Sequence, residues 1–351
     1  MSVTSVSVVV CTYTERRWGD LLAAVRSVRD QRVAPSVEII VAVDHNAPLL
    51  DRIRGELRDV VAVANEGTRG LSATRNAGVA AAGGDVIVFL DDDCVAAPRW
   101  LERLLAHYGA PDVAGAGGAA VAHWVSGRPR WFPEEFAWVV GCSYRGLPVE
   151  AAPVRNFIGA NMSFRGDALA VAGGFRDGIG RVGRRPLGCE ETELCLRLSA
   201  RRPAASLVYE PGAVVRHRVP AERGSWRYFA SRCWAEGRSK ALVARLAGAR
   251  RGLEAERHYS RHVLPAGVRS GVRAALRGDP AGALRAAAIA GGLAITALGY
   301  ARGRIDAGSV PGSAAPFATP SSASAPGAGP AGPPRRPPSA PAAEGPSASG
   351  S

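Results

Sequence analysis

The chain has 351 residues, 47% of them apolar, and 44 Lys or Arg against 31 Asp or Glu, a formal net charge of +13. That length can bury a substantial core, enough for one large α/β domain with accessory segments, and the apolar content excludes a chain disordered throughout. The six cysteines are scattered with no CxxC pair, which indicates neither a zinc site nor a disulfide framework and makes a reducing cytoplasm the expected compartment.

No charged leader precedes an apolar stretch at the N-terminus, and Val6 to Val10 is too short for a signal peptide. That run reads instead as a first strand leading into the polar stretch Cys11 to Arg17, CTYTERR. A dinucleotide-binding fold would place GxGxxG here, and those glycines are missing. Polar groups at a strand end can still hold a base or a ribose. A helix follows, with Leu21, Leu22, Val25 and Val28 on one face. Val37 to Val43 is the second strand and ends at Asp44. A carboxylate there could accept hydrogen bonds from a nucleobase or a ribose hydroxyl, or simply belong to the turn that Asp-His-Asn favours.

Val60 to Ala64 is a short third strand. The glycines at 67, 70 and 78 lack the GKS or GKT ending of a phosphate loop. Ser72 to Ala82 therefore reads as a small-residue helix stopped by Gly83-Gly84, with Arg75 and Asn76 in its first turns. Next comes DVIVFLDDDC, Asp85 to Cys94. Its apolar run Val86 to Leu90 has the pattern of a strand buried on both faces, as in a parallel sheet. Asp91, Asp92 and Asp93 cut it off at the end where open α/β sheets collect ligands. Three adjoining carboxylates repel one another, and a hard divalent cation would neutralise them; capping of the following helix is the plainer alternative.

The strand–helix alternation to this point implies a doubly wound, mostly parallel sheet. Trp100 to Pro153 is less regular, and its aromatic cluster of Trp124, Trp131, Phe132, Phe136 and Trp138 suits either a platform for a sugar or the packing of a loop-rich lobe. Asn156 to Gly174 reads as strand, turn and helix. Glu190, Glu191 and Glu193 then open a helix whose buried stripe is Leu194, Cys195 and Leu198. One acid suffices for a helix start, so a carboxylate here, beside a crevice already lined with acids, is a candidate general base. Leu207 to Tyr209 is a short strand, and Val214 to Val219 surrounds His217.

From Arg223 to about Arg277 the chain reads as helical and basic, and Arg216 to Arg285 holds sixteen Lys or Arg against five Asp or Glu. Such a block suits nucleic acid, an anionic membrane surface or phosphorylated substrates, or is the solvated side of arginine-rich helices. Its basic residues lie outside the expected sheet and form no recognised nucleic-acid motif, so nucleic acid is not expected as a partner. The uninterrupted apolar part that follows, Ala286 to Tyr300, is shorter than the roughly 20 residues that span a bilayer, and suits a buried or interfacial helix. Beyond about Ala307 the Pro, Ala, Ser and Gly composition predicts disorder.

In order, VSVVVCTYTERR, VEIIVAVDHN, NEGTRGLSATRNAG, DVIVFLDDDC, GANMSFRGDAL with GGF, and GCEETELCLRL resemble the family 2 glycosyltransferases of the GT-A fold, over roughly Ser5 to His217. The resemblance implies an enzyme that moves one sugar from a nucleotide-diphospho-sugar to an acceptor hydroxyl with inversion. It implies that Thr12, Glu15 and Asp44 hold the base and that Arg75 lies beside it. Asp92 would approach the ribose, while Asp93 with Asp91 would ligate Mg2+ or Mn2+, as in a DXD motif. The family usually carries Glu-Asp where this chain has Glu190-Glu191, with the second residue as base; Glu191 is thus the expected base and Glu190 the alternative.

The division that follows is a nucleotide-sugar-binding half over 1–98 and an acceptor half with the catalytic carboxylate over 99–218. A basic helical extension covers 219–306 and a disordered tail 307–351. The QxxRW motif of processive synthases is missing; the nearest text is RCWAEGRSK, Arg232 to Lys240. Single transfer to a lipid-linked or glycan acceptor is therefore expected, by a cytoplasmic enzyme peripheral to the inner face of the cell membrane. Two other classes compete. A sugar nucleotidyltransferase would open with a Gly-rich basic loop that CTYTERR does not match, and a non-catalytic protein would bind nucleic acid or membrane through the basic block alone.

Overall fold

The computed structural model describes residues 3–181, 187–248 and 253–307, which fall in one compact unit. The tail from 308 onward, expected to be disordered, lies outside the described residues.

Four strands build the first half of the sheet: β1 (Ser5–Thr12), β2 (Ser36–Asp44), β3 (Val61–Asn65) and β4 (Val86–Asp91). They run parallel in the order β3-β2-β1-β4. Helices cover both faces, which is why the valine-rich strands are apolar without alternation. Val6, Val8 and Val10 pack toward α1 (Trp18–Arg29), α2 (Ala47–Glu56) and α4 (Trp100–Leu105). Val9 and Phe89 face the opposite core with α5 (Gly166–Ala172) and α6 (Glu190–Arg201), and α3 (Leu71–Ala81) joins that side.

The second half of the sheet is mixed rather than parallel. β8 (Asn161–Arg165) runs antiparallel to β4, and β6 (Val113–Trp124) antiparallel to β8. β9 (Ser206–Val219) runs parallel to β6 and pairs antiparallel with both β5 (Cys94–Ala96) and β7 (Ala152–Pro153). β6 is the main departure from the sequence reading, which left its region irregular. Its sequence VAGAGGAAVAHW is poor in the β-branched and aromatic residues that mark strands. Its neighbours demand that composition: a Cβ at Gly118 would collide with the Ala213 carbonyl, and one at Gly117 with the Phe157 ring. The short strand expected over Leu207 to Tyr209 likewise runs on to Val219, with a register break opposite Gly118 and Ala119.

After β9 the chain is helical. α7 (Trp226–Ala247) is followed by α8 (Glu254–His258), a π-helical turn (Tyr259–Val263), α9 (Leu264–Leu276) and α10 (Pro280–Ala307). Phe132, Phe136 and Val140 pack with Phe229, Cys233, Leu264 and Ile289 into a third core. Trp131 stacks on Trp226 at 3.8 Å between ring centres. The aromatic cluster thus fastens the helical extension to the sheet, as the packing reading has it.

The length argument for the last apolar run needs correction. Its flanking residues are helical too, so α10 spans 28 residues and is, by length and composition, long and apolar enough to cross a membrane.

Candidate active site

The crevice opens where β1, β2 and β4 end, lined by Thr12, Tyr13, Arg17, Asp44, Asp91 and Asp92 among others. Parallel strands deliver these ends to one edge because the register sets Cys11 opposite Asp91 and Thr12 opposite Val43. Asp44 accepts from Asn65 Nδ2 at 2.9 Å and from the Gly70 N–H at 3.1 Å. Gly70 has φ of 136°, a backbone that side chains resist, and presents that N–H directly before α3.

The three aspartates part ways. Asp91 is half-buried and faces the crevice. Asp92 is buried, accepting from the Thr12 hydroxyl at 2.8 Å and from Arg17 Nη1 at 2.7 Å. Burial pushes it up to about 6, against the pull of Arg17. Asp93 is also buried, with His217 Nε2 at 3.1 Å, Arg17 Nη1 at 3.2 Å and Arg223 Nη2 at 3.6 Å. Burial would raise Asp93, but His217, Arg17 and Arg223 outweigh it and hold the carboxyl well below its usual range. Burial would lower His217, but the Asp93 charge, the hydrogen bond to Asp93 and the contact with Cys142 together outweigh it and push the imidazole up to about 10.

One grouping of three metal-ligating side chains occurs among the described residues: Asp93, Cys94 and His217, with ligand atoms within 4.8 Å of one another. Burial raises the Cys94 thiol well above its ordinary value, so it stays protonated and is a poor ligand. Asp93 and His217 remain, a carboxylate and an imidazole 3.1 Å apart, with the Asp91 carboxylate on the crevice side; the imidazole, protonated in that ion pair, would have to give up its proton to a bound cation. Such donors fit Mn2+, and Mg2+ less closely because of the imidazole. Arg17 Nη1 bridges Asp92 and Asp93, so this seat already favours positive charge.

α6 supplies the second set of carboxylates. Its N-cap, Cys189, is a non-glycine residue at φ 71°, and Glu190 and Glu191 follow at once. The three acids have different surroundings. Glu193 is buried against Arg197 at 2.6 Å and Arg176 at 3.3 Å, a pairing that ties α6 to the turn after α5. Glu190 is buried and receives Arg75 Nη1 at 2.8 Å. Glu191 is half-buried, accepts from the Thr192 hydroxyl at 3.2 Å and has no ion pair among the described residues. Burial, then the Glu190 charge beside it, pushes Glu191 up to about 8.

Arg75 joins the two sets. It is 2% exposed, lies over the Phe175 ring at 5.3 Å, and reaches Asp91 at 3.5 Å as well as Glu190. The arginine expected beside a base is therefore a buried bridge between the acidic strand end and α6. Glu15, expected to hold the base, is exposed on a 3-10 turn and stays outside the lining; Arg17, two residues on, turns inward. The Thr12 hydroxyl is spent on Asp92.

Two residues of this site escaped the sequence reading. For Arg17 the signal was weak, an arginine among polar neighbours. For His217 it was stronger: a histidine on an inward position of a strand whose adjacent residues are Arg216 and Arg218. Only the β5–β9 pairing, which sets His217 opposite Cys94, brings it to Asp93.

Behind α6 lies a half-buried ionic network. Lys240 Nζ contacts Glu256 at 2.7 Å and Glu236 at 3.4 Å, and Arg155 contacts Glu256 at 2.6 Å. The Cys189 thiol donates to Glu236 at 3.4 Å and the Gly188 N–H to the Ser239 hydroxyl at 3.2 Å. α7 thus holds the strained residue in front of Glu190 and Glu191.

Residues 7–171 match the model of glycosyl transferase family 2. The chain is 36% identical over 242 residues to the glucosyl-dolichyl phosphate glucuronosyltransferase of Haloferax volcanii, covering 68% of this chain and 77% of that one. It is 26% identical over 238 residues to the succinoglycan biosynthesis protein ExoM of Rhizobium meliloti, covering 66% and 72%. Among solved structures it resembles the mannosyltransferase PcManGT from Pyrobaculum calidifontis in complex with GDP-Man and Mn2+, with a TM-score of 0.55 at 17% identity over 87% of this chain and 88% of that one. The architecture is thus the GT-A type that the sequence motifs imply.

Proposed function

Since the chain belongs to glycosyl transferase family 2, we propose that it moves one sugar from a nucleotide-diphospho-sugar to an acceptor hydroxyl, with inversion and with Mg2+ or Mn2+ as cofactor. The observation that carries this is the Asp91–Arg75–Glu190 bridge, which ties the acidic strand end to the start of α6.

In this reading residues 1–98 bind the donor and 99–218 the acceptor. Asp44, Thr12 and the crevice backbone face the nucleoside, Asp92 the ribose. Asp93, His217 and Asp91 would hold the cation, which supplies Lewis-acid stabilisation of the charge growing on the departing diphosphate. Glu191 takes the proton of the acceptor hydroxyl as that oxygen bonds to the anomeric carbon from the face opposite the diphosphate. The anomeric C–O bond breaks and its electron pair leaves with the nucleoside diphosphate, which needs no acid to protonate it. Glu190 is held by Arg75, so the base role goes to Glu191 and Glu190 orients the helix start. A lipid-linked saccharide is the acceptor class favoured, given the dolichyl phosphate in the relative's name, which would place the enzyme at the cytoplasmic face of a membrane.

A panel of UDP-, GDP- and dTDP-sugars, with and without Mn2+ and monitored for nucleotide release, tests the reading. Release from at least one donor, lost with EDTA and restored by Mn2+, is expected; no release from any donor counts against it.

The raised Glu191 gives a pH signature. The base acts deprotonated, so kcat/KM should climb with pH through an apparent midpoint near about 8. Glu236 adds to that elevation through its charge. Glu236→Gln should move the midpoint downward and raise kcat/KM at pH 6.5 about twofold to threefold. An unmoved profile would show that another group titrates.

A further inference from the structure

α10 presents two unlike faces. Its inner face packs closely on α7 and α9 at glycines. A Cβ at Gly237 of α7 would collide with the α10 backbone at Thr296 and Tyr300, and one at Gly299 with the α7 backbone at Trp234. Gly271 of α9 meets Gly282 and Ala286 as closely. The outer face is open to solvent and carries nothing polar over the sixteen residues between Arg285 and Arg302. Ala287, Ala290, Leu293, Ala294, Ala297 and Leu298 are exposed there, Leu298 at 62%. That is about 24 Å of water-facing helix without a polar side chain, at 1.5 Å per residue. A helix of a water-soluble surface places its polar residues on that side.

α9, the other arm of this hairpin, adds charge. Arg269, Arg273 and Arg277 recur every fourth residue on its exposed side and make no ion pair among the described residues. Val272 and Leu276 lie between them, and Leu276 near the hairpin tip is 83% exposed. Four other arginines nearby are ion-paired. The cavity of about 440 Å³ under the hairpin is lined by Arg128, Arg130, Arg145 and Arg285, which pair with Glu134 and Asp279.

We propose that the outer face of the α9–α10 hairpin docks on an anionic lipid bilayer, lying in the interface with α10 against the acyl boundary and the α9 arginines among the headgroups. An apolar face with uncompensated cations matches a leaflet in both hydrophobicity and charge. Spanning is disfavoured by the packing: α7 lies along α10 and would carry Arg232, Glu236 and Lys240 into hydrocarbon. The chain beyond Ala307 has just two large apolar residues, Val310 and Phe317, and is a poor cover for this face. The inference deepens the membrane side of the proposed function but needs no particular donor.

Co-flotation of the full chain with phosphatidylcholine vesicles containing 30% phosphatidylglycerol, against pure phosphatidylcholine, is the test. Strong flotation with the anionic vesicles is expected. The variant carrying Arg269→Glu, Arg273→Glu and Arg277→Glu should partition about 100-fold less or lower, and Leu293→Ser with Leu298→Ser about tenfold less. No flotation at low salt, or flotation that neither variant weakens, overturns the proposal. So does a vesicle-free dimer that the leucine variant dissolves, which would put a second copy on this face. Resistance of the cellular protein to alkaline carbonate extraction overturns the interfacial placement. Nucleotide release by the arginine variant without vesicles is followed in parallel; unchanged release with lost flotation supports docking and leaves the transfer chemistry separate.

Discussion

Glu191→Gln is expected to lower kcat by about two to four orders of magnitude while leaving donor affinity within a few-fold. Gln keeps the size and the contact with Thr192 but cannot take a proton from the acceptor. The variant should fold at least as well as its parent. Glu191 is pushed from 4.5 up to about 8 by burial and by Glu190, so the folded protein holds that proton where the unfolded chain has lost it. Such a group makes stability fall as pH rises from about 4.5 to about 8, and Gln removes the fall. The gap in melting temperature between variant and parent should therefore widen, in the variant's favour, across that window and then level off. Thermal melts at pH 5 and pH 9 with initial rates of nucleotide release check both halves. Full activity would show that another group is the base.

Asp93→Asn is expected to lose activity and stability together. Asp93 faces His217, Arg17 and Arg223 at once. Removing its charge leaves buried cations with less to balance them, an expected cost of about 3 kcal/mol in urea unfolding. Loss of a cation donor should lower turnover by about two orders of magnitude or more. His217→Gln separates the two effects: it removes a ligand and a positive charge but keeps the carboxylate, so Mn2+ binding by calorimetry should weaken with a smaller loss of stability. Wild-type Mn2+ affinity in both variants would place the cation elsewhere.

Much of the first half of the fold is legible in the chain. Buried parallel strands announce themselves as short valine-rich runs, and each ends at a polar break: Thr12, Asp44 and Asp91. The second half is not, because β6 is a strand by virtue of its neighbours. Gly115, Gly117 and Gly118 are there to let Phe157, Phe164 and Ala213 approach, a requirement no local propensity expresses. The last apolar run misled for a related reason. Its small residues serve close packing on α7, and the helix continues past the residues that hydropathy marks.

The sequence alone determined the strand ends and the acids placed on them, since both follow from local periodicity and residue type. It also determined the excess of positive charge toward the C-terminus. Which acid does what was decided only by tertiary contact. Arg75 lies far in sequence from the Glu190 it pairs with, and that pairing leaves Glu191, of the three acids opening α6, without an ion pair among the described residues. His217 reaches Asp93 only because an antiparallel edge pairing sets it opposite Cys94. A carboxylate's proton affinity depends on burial and on charges within a few ångströms, and those distances are fixed by the packing of segments remote in the chain.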